Sequence, residues 1–137
     1  MPTILLVDSD DDCRLIFRSA LAHDGYRVVE ASDGDEAARL LVEYDVHMVI
    51  GELYIRSHEG DLFVPALKSH PRARDLTVVV VSTQGFDDAR LNALAGGADA
   101  FFVKPVELAL IRTAVRRFAG APSDARSDRS GRTELSL

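Results

Sequence analysis

Four short polar clusters each follow directly on an apolar run. They are Asp8-Ser9-Asp10 after residues 4–7, Gly51-Glu52 after 46–50, Ser82-Thr83 after 77–81, and Lys104-Pro105 after 100–103. Brought together, they would set carboxylates, hydroxyls and one ammonium at a single place. Asp8, Asp10 and Glu52 carry the hard oxygens that Mg²⁺ prefers; that ion takes a few carboxylates, with waters and phosphate completing its shell. Ser82, Thr83 and Lys104 suit phosphate oxygens. Such a pocket fits phosphoryl transfer or phosphate sensing.

The order of elements is what would bring the clusters together. Residues 4–7 are apolar on both faces, as suits a parallel strand buried under helices on each side. The acids that follow suit a helix N-terminus, where the macrodipole favours negative charge. Leu15, Ile16, Ser19, Ala20 and Leu21 form the predicted buried face of that helix, and Gly25 stops it. Residues 26–31 read as the second strand. Ser32, with Asp35 three residues on, reads as a capping start, and Ala37, Ala38, Leu40 and Leu41 mark the helix face behind it. Residues 46–50 form the third strand, 51–60 an irregular stretch and 61–69 a short helix. Residues 77–81 end in four consecutive valines and read as the fourth strand. A helix over 87–95 is stopped by Gly96-Gly97. Residues 100–103 are the fifth strand. The last helix, 106–118, carries Val106, Leu110, Ile111, Ala114, Val115 and Phe118 on one stripe. Strands alternating with helices imply right-handed crossovers and an α/β, doubly wound, five-stranded parallel sheet. Ligands in such sheets bind beyond the carboxyl ends of the strands, near a topological switch point. All four polar clusters fall there.

The 137 residues suit one domain, expected over 1–120, with a flexible polar tail over 121–137 whose three Arg and three acids accompany few large apolar residues. Apolar residues at 47% and charged residues at 28% match a soluble globular chain. The formal net charge of −6 argues against a nucleic-acid partner or an anionic membrane surface. No apolar run approaches the roughly 20 residues of a membrane-spanning helix, and the N-terminus lacks the basic start of a signal peptide. Cys13 is the only cysteine, so a reducing, cytoplasmic setting is expected. Cys13, His23, His47, His58 and His70 lack metal-ligand spacing with one another. No phosphate-binding loop of Walker or dinucleotide type is present.

Each cluster alone has a plain reading. The Asp10-Asp11-Asp12 run can be a solvated helix start, Ser82 a turn residue, Lys104 a solvated strand end and Phe101 core packing. Their joint order carries more. The segments ILLVDSD (4–10), HMVIGELYIRSHEG (47–60), VVVVST (78–83) and GGADAFFVKP (96–105) together resemble the receiver domain of bacterial two-component response regulators, over residues 2–119. The resemblance implies a flavodoxin-like fold and a strand-one acidic pair that holds Mg²⁺. It also implies an Asp after strand three that takes a phosphoryl group from a histidine kinase. A Ser or Thr after strand four, and a Lys before a cis-Pro, would touch the phosphoryl oxygens. Asp8, Ser82 and Lys104 match those positions, Thr83 stands beside Ser82, Phe101 falls where a rotamer switch is usual, and Lys104–Pro105 is expected to be cis.

Two positions depart from the pattern. The phosphoacceptor position holds Glu52, and the second acid of the strand-one pair is Ser9. The extra methylene carries the Glu52 carboxylate about 1.5 Å further out, and a misplacement of about 1 Å is costly for in-line transfer. There Glu52 can meet Lys104 as a charge-assisted pair. Loss of an acid at Ser9 should weaken Mg²⁺ binding by Asp8, Asp10 and Glu52. These changes predict a pseudo-receiver: a stand-alone, non-enzymatic signalling module whose Asp phosphorylation is lost. Its partner would be a histidine kinase or a downstream protein, met on the face of the fourth helix, fifth strand and last helix at Arg90, Leu91, Leu94, Asp99, Phe101 and Val106. Two alternatives stand beside it. One is a receiver phosphorylated on another acid, Asp10 or Asp61. The other is a small phosphatase-like enzyme with Asp8 as nucleophile and Asp10 two residues on.

Overall fold

The structure, a computed structural model, describes residues 2–52, 68, 70–71, 74–82 and 93–121. The expectations for 53–67, for Thr83, Arg90 and Leu91, for most of the third and fourth helices, and for the tail beyond residue 121 lie outside these residues.

Five strands form one parallel sheet: β1 (Thr3–Val7), β2 (Arg27–Ala31), β3 (Met48–Gly51), β4 (Thr77–Ser82) and β5 (Ala100–Val103). Their order is β2-β1-β3-β4-β5, so the chain reverses its direction of growth at β1. The crevice between β1 and β3 is therefore the switch point. The predicted doubly wound α/β architecture is the one found.

Strand alternation splits the core in two. Leu5, Val7, Val49, Val78 and Val80 face one side and pack with Ala37, Leu40 and Leu41 of helix α2 (Gly34–Glu43). Ile4, Leu6, Met48, Ile50, Val79 and Val81 face the other side, against Phe17 and Leu21 of α1 (Asp11–His23) and Ile111 and Val115 of α3 (Leu108–Ala119). With helices on both faces the central strands must be apolar throughout, which is why 4–7 and 78–81 carry no polar alternation.

Several boundaries and faces differ from the expectation. The buried face of α1 is Phe17, Ala20 and Leu21, with Cys13 partly covered, whereas Leu15 and Ile16 are about half exposed. The spacing 13, 17, 20, 21 is one helical stripe; Leu15 and Ile16 fall off it. In α3, Ile111, Ala114 and Val115 are buried while Leu110 and Phe118 are exposed. That helix begins at Leu108 because Glu107, its N-cap, is extended (φ −67°, ψ 136°). The cap of α2 is Asp33, one residue later than expected: its carboxylate accepts the Glu36 N–H at 2.8 Å, and Glu36 reaches back to the Ser32 N–H at 2.8 Å.

Both predicted glycine stops hold. Gly25 (φ +101°) and Gly97 (φ +113°) are left-handed. In each case the following N–H bonds back five residues, Tyr26 to Leu21 and Ala98 to Ala93. A side chain at Gly97 would also meet the Lys68 stem at 3.2 Å.

Candidate functional site: the carboxyl edge of the sheet

Parallel register sets the heights of the site residues. Val7 pairs with Gly51, and the Glu52 N–H donates to the Val7 carbonyl at 3.0 Å, so Asp8 and Glu52 leave the sheet side by side. Ser82 pairs with Val103, and the Lys104 N–H donates to the Ser82 carbonyl at 2.7 Å. The Lys104 side chain therefore starts one step beyond the strand ends and reaches back over them. The Lys104–Pro105 peptide is cis.

The side chains converge on the switch point. The Lys104 ammonium donates to Asp8 Oδ2 at 2.7 Å and stands 3.0 Å from Glu52 Oε2. All three side chains are only 12–16% exposed. Burial works against the ammonium, but the hydrogen bonds to Asp8 and Glu52 outweigh it and raise its pKa above the ordinary lysine value. The other oxygen of Asp8 is also engaged: Oδ1 accepts the Asp10 N–H at 2.8 Å. Ser82 is fully buried at the end of β4.

Asp10 is exposed and caps α1, its Oδ1 accepting the N–H groups of Asp12 and Cys13 at 2.9 and 3.3 Å. Phe101 is half-buried and packs against the α2 side of the core, while Val106 packs against the α1 side. Asp99, just before β5, accepts the Val78 N–H of β4 at 2.8 Å. Leu94 is exposed.

Four neighbours were not anticipated. Arg14 donates to the Asp8 carbonyl, pairs with Asp11, and reaches Glu30 of β2 at 3.3 Å. Arg18 holds the same carboxylate at 3.0 Å. The Cys13 thiol lies beside Asp8 above a small hollow lined by Leu6, Phe17, Ile50 and Val81. Burial, and then the Asp8 carboxylate, push that thiol up to about 11, against a smaller downward pull from Lys104. Arg14 and Cys13 sit in the first turn of a helix that starts at the site, which was the available signal. Glu30 pairs in register with Leu6, a neighbour visible only once the sheet is built.

The family model for the response regulator receiver domain matches residues 4–116. The chain belongs to the response regulator receiver family. It is therefore a receiver-domain signalling module of the two-component type. Members of this family interact with histidine kinases or other proteins. Among relatives, the chain is 24% identical over 119 residues to a probable chemotaxis protein CheY of Rhizobium etli, covering 86% of this chain and 92% of that one. It is 28% identical over 120 residues to the phosphate regulon transcriptional regulatory protein PhoB of Escherichia coli, covering 85% of this chain and 52% of that one. The chain thus spans about half the length of the latter relative. In three dimensions it is similar to a response regulator from Desulfuromonas acetoxidans (TM-score 0.79, 23% identity, 85% and 95% of the two chains). It is similar also to the receiver domain of the sensor histidine kinase PA1611 from Pseudomonas aeruginosa (TM-score 0.76, 20% identity, 87% and 98%), solved with magnesium in its active-site cleft. At these identities the structural likeness establishes the fold.

Receiver domains typically bind Mg²⁺ at this edge. As arranged, the residues here do not present a ready-made site for it. Asp8 and Glu52 both face the Lys104 ammonium, the cap of α1 engages Asp10, and position 9 offers a hydroxyl in place of a carboxylate. Among the described residues, no group of three or more His, Cys, Asp and Glu side chains is placed to hold a metal ion. No described helix is long and apolar enough to cross a membrane.

Proposed function

We propose that this chain is a pseudo-receiver, signalling through protein contact without aspartyl phosphorylation. One observation supports this above the rest: the side chain at the phosphoacceptor position is Glu52, and its carboxylate already has the Lys104 ammonium 3.0 Å away. In receivers that lysine meets the phosphoryl oxygens. Here a resident carboxylate takes the same partner, so the charge that phosphorylation would supply is built into the chain. The Glu52–Lys104 pair then holds the switch region around Phe101 near an active-like state.

An enzymatic reading finds less support. A phosphatase would need the Asp8 carboxylate available as nucleophile and Asp10 as its acid. Both Asp8 oxygens are hydrogen-bonded, and Asp10 caps α1. The net charge of −6 favours a protein partner over nucleic acid. The docking face we favour is formed by Leu94, Asp99, Phe101 and Val106 with the exposed Val103 and Leu110. Its occupant would be a histidine kinase or a downstream signalling protein. Incubated with acetyl phosphate and Mg²⁺, the native chain is expected to keep its own mass; a phosphoryl adduct would overturn the reading. Glu52→Ala should change affinity for the partner, and an unchanged affinity would remove Glu52 from the switch.

A further inference from the structure

We infer that the Lys104 ammonium is the resident counter-cation of this cleft and excludes divalent ions while it stays there. The inference rests on the reading that Glu52 is a permanent partner of Lys104, and it concerns what that partnership does to the metal site. The ammonium stands 2.7 Å from Asp8 Oδ2 and 3.0 Å from Glu52 Oε2, bridging the two carboxylates that a divalent ion would need. A Mg²⁺ ion has two routes in, and both are unfavourable. It can displace the ammonium, which then loses both carboxylates in a largely buried position. Or it can share the cleft with the ammonium and meet a like charge at close range.

Two further features keep Lys104 in place. Its backbone N–H is bonded to the Ser82 carbonyl at 2.7 Å, so the side chain is anchored beside β4. The second Asp8 oxygen already accepts the Asp10 N–H, which fixes the carboxylate's orientation toward the ammonium. Ser9 adds no compensating charge, and Asp10 Oδ1 serves the first turn of α1. The formal charges of Asp8, Glu52 and Lys104 sum to a single negative charge, where an empty two-carboxylate cleft would carry two.

Mn²⁺ is the probe, followed by the electron paramagnetic resonance signal of the unbound ion. Native protein is expected to show no saturable uptake at millimolar Mn²⁺, and Lys104→Met, which keeps the stem but removes the charge and its repulsion of the ion, should bind one ion at least about tenfold more tightly. If Lys104→Met fails to fold, the native chain decides: the Lys104 side-chain nitrogen resonance should not move when Mg²⁺ is added. Saturable binding by the native chain with movement of that resonance overturns the inference, as does a folded Lys104→Met that binds no better than native. Native protein that binds Mn²⁺ but resists acetyl phosphate would sink this inference and leave the pseudo-receiver reading standing. Native protein that is phosphorylated would sink the reading itself.

Discussion

Lys104 carries two jobs at the residue scale: it balances Asp8 and Glu52, and it ties the end of β5 to the switch point. Because its folded pKa is raised, the pairing stabilises the fold in full below the ordinary lysine value and is lost as pH rises through the raised one. Lys104→Met should cost about 1–3 kcal/mol at neutral pH, by stranding two largely buried carboxylates. Urea denaturation of the two proteins should show the gap narrowing in strongly alkaline solution; a gap that stays constant contradicts the pairing. Cys13 gives a second test. Its thiol is held up to about 11, chiefly by burial and next by Asp8, so it should stay protonated where an ordinary thiol ionises. Alkylation by iodoacetamide at mildly alkaline pH should be far slower than for a cysteine in an unfolded peptide. Its rate should rise with a midpoint of about 11. A midpoint at the ordinary 9.0 would show that Asp8 and the hollow do not shield it. Asp8, Glu52, Ser82 and Lys104 were legible as candidates because each is the first polar residue after an apolar run. Arg14 and Cys13 were not, because their roles appear only when the first turn of α1 is laid over the end of β1.

At the scale of elements, periodicity found the five strands and, among the described residues, helices α1, α2 and α3, but it misjudged which side of a helix turns inward. The residues 15, 16, 19, 20 and 21 also make an apolar cluster in α1, and sequence alone cannot separate that phase from 13, 17, 20 and 21. The sheet decides, since Phe17 and Leu21 fit over Ile4, Leu6 and Met48 while Leu15 and Ile16 stay half exposed. The phases differ in consequence. Leu21→Ala should cost about 2–5 kcal/mol through the cavity it leaves, whereas Leu15→Ala should stay within about 0.5 kcal/mol. Chemical denaturation of both variants measures the difference, and equal losses would mean the helix face is wrongly assigned. Caps were misread for a related reason. Ser32 and Asp33 are both good N-caps, and only the extended backbone of Asp33 (φ −152°, ψ 175°) selects between them.

Over the whole molecule, a doubly wound parallel sheet follows from alternating apolar runs and crossover handedness, whereas the order β2-β1-β3-β4-β5 is visible only in the structure. The same order explains why four separated clusters form one site: the strands all point the same way and end at one edge. What sequence could not supply is how the charges at that edge are shared. Lys104 and Asp8 are 96 residues apart, and their 2.7 Å contact depends on every strand between them. In the proposed reading, Glu52 is what separates this receiver from phosphate chemistry. The most direct test compares native protein with Glu52→Asp after incubation with acetyl phosphate and Mg²⁺, read by intact mass. No change is expected in the native chain, and one added phosphoryl group on a fraction of the variant, mapped to position 52. Phosphorylation of the native chain would contradict it.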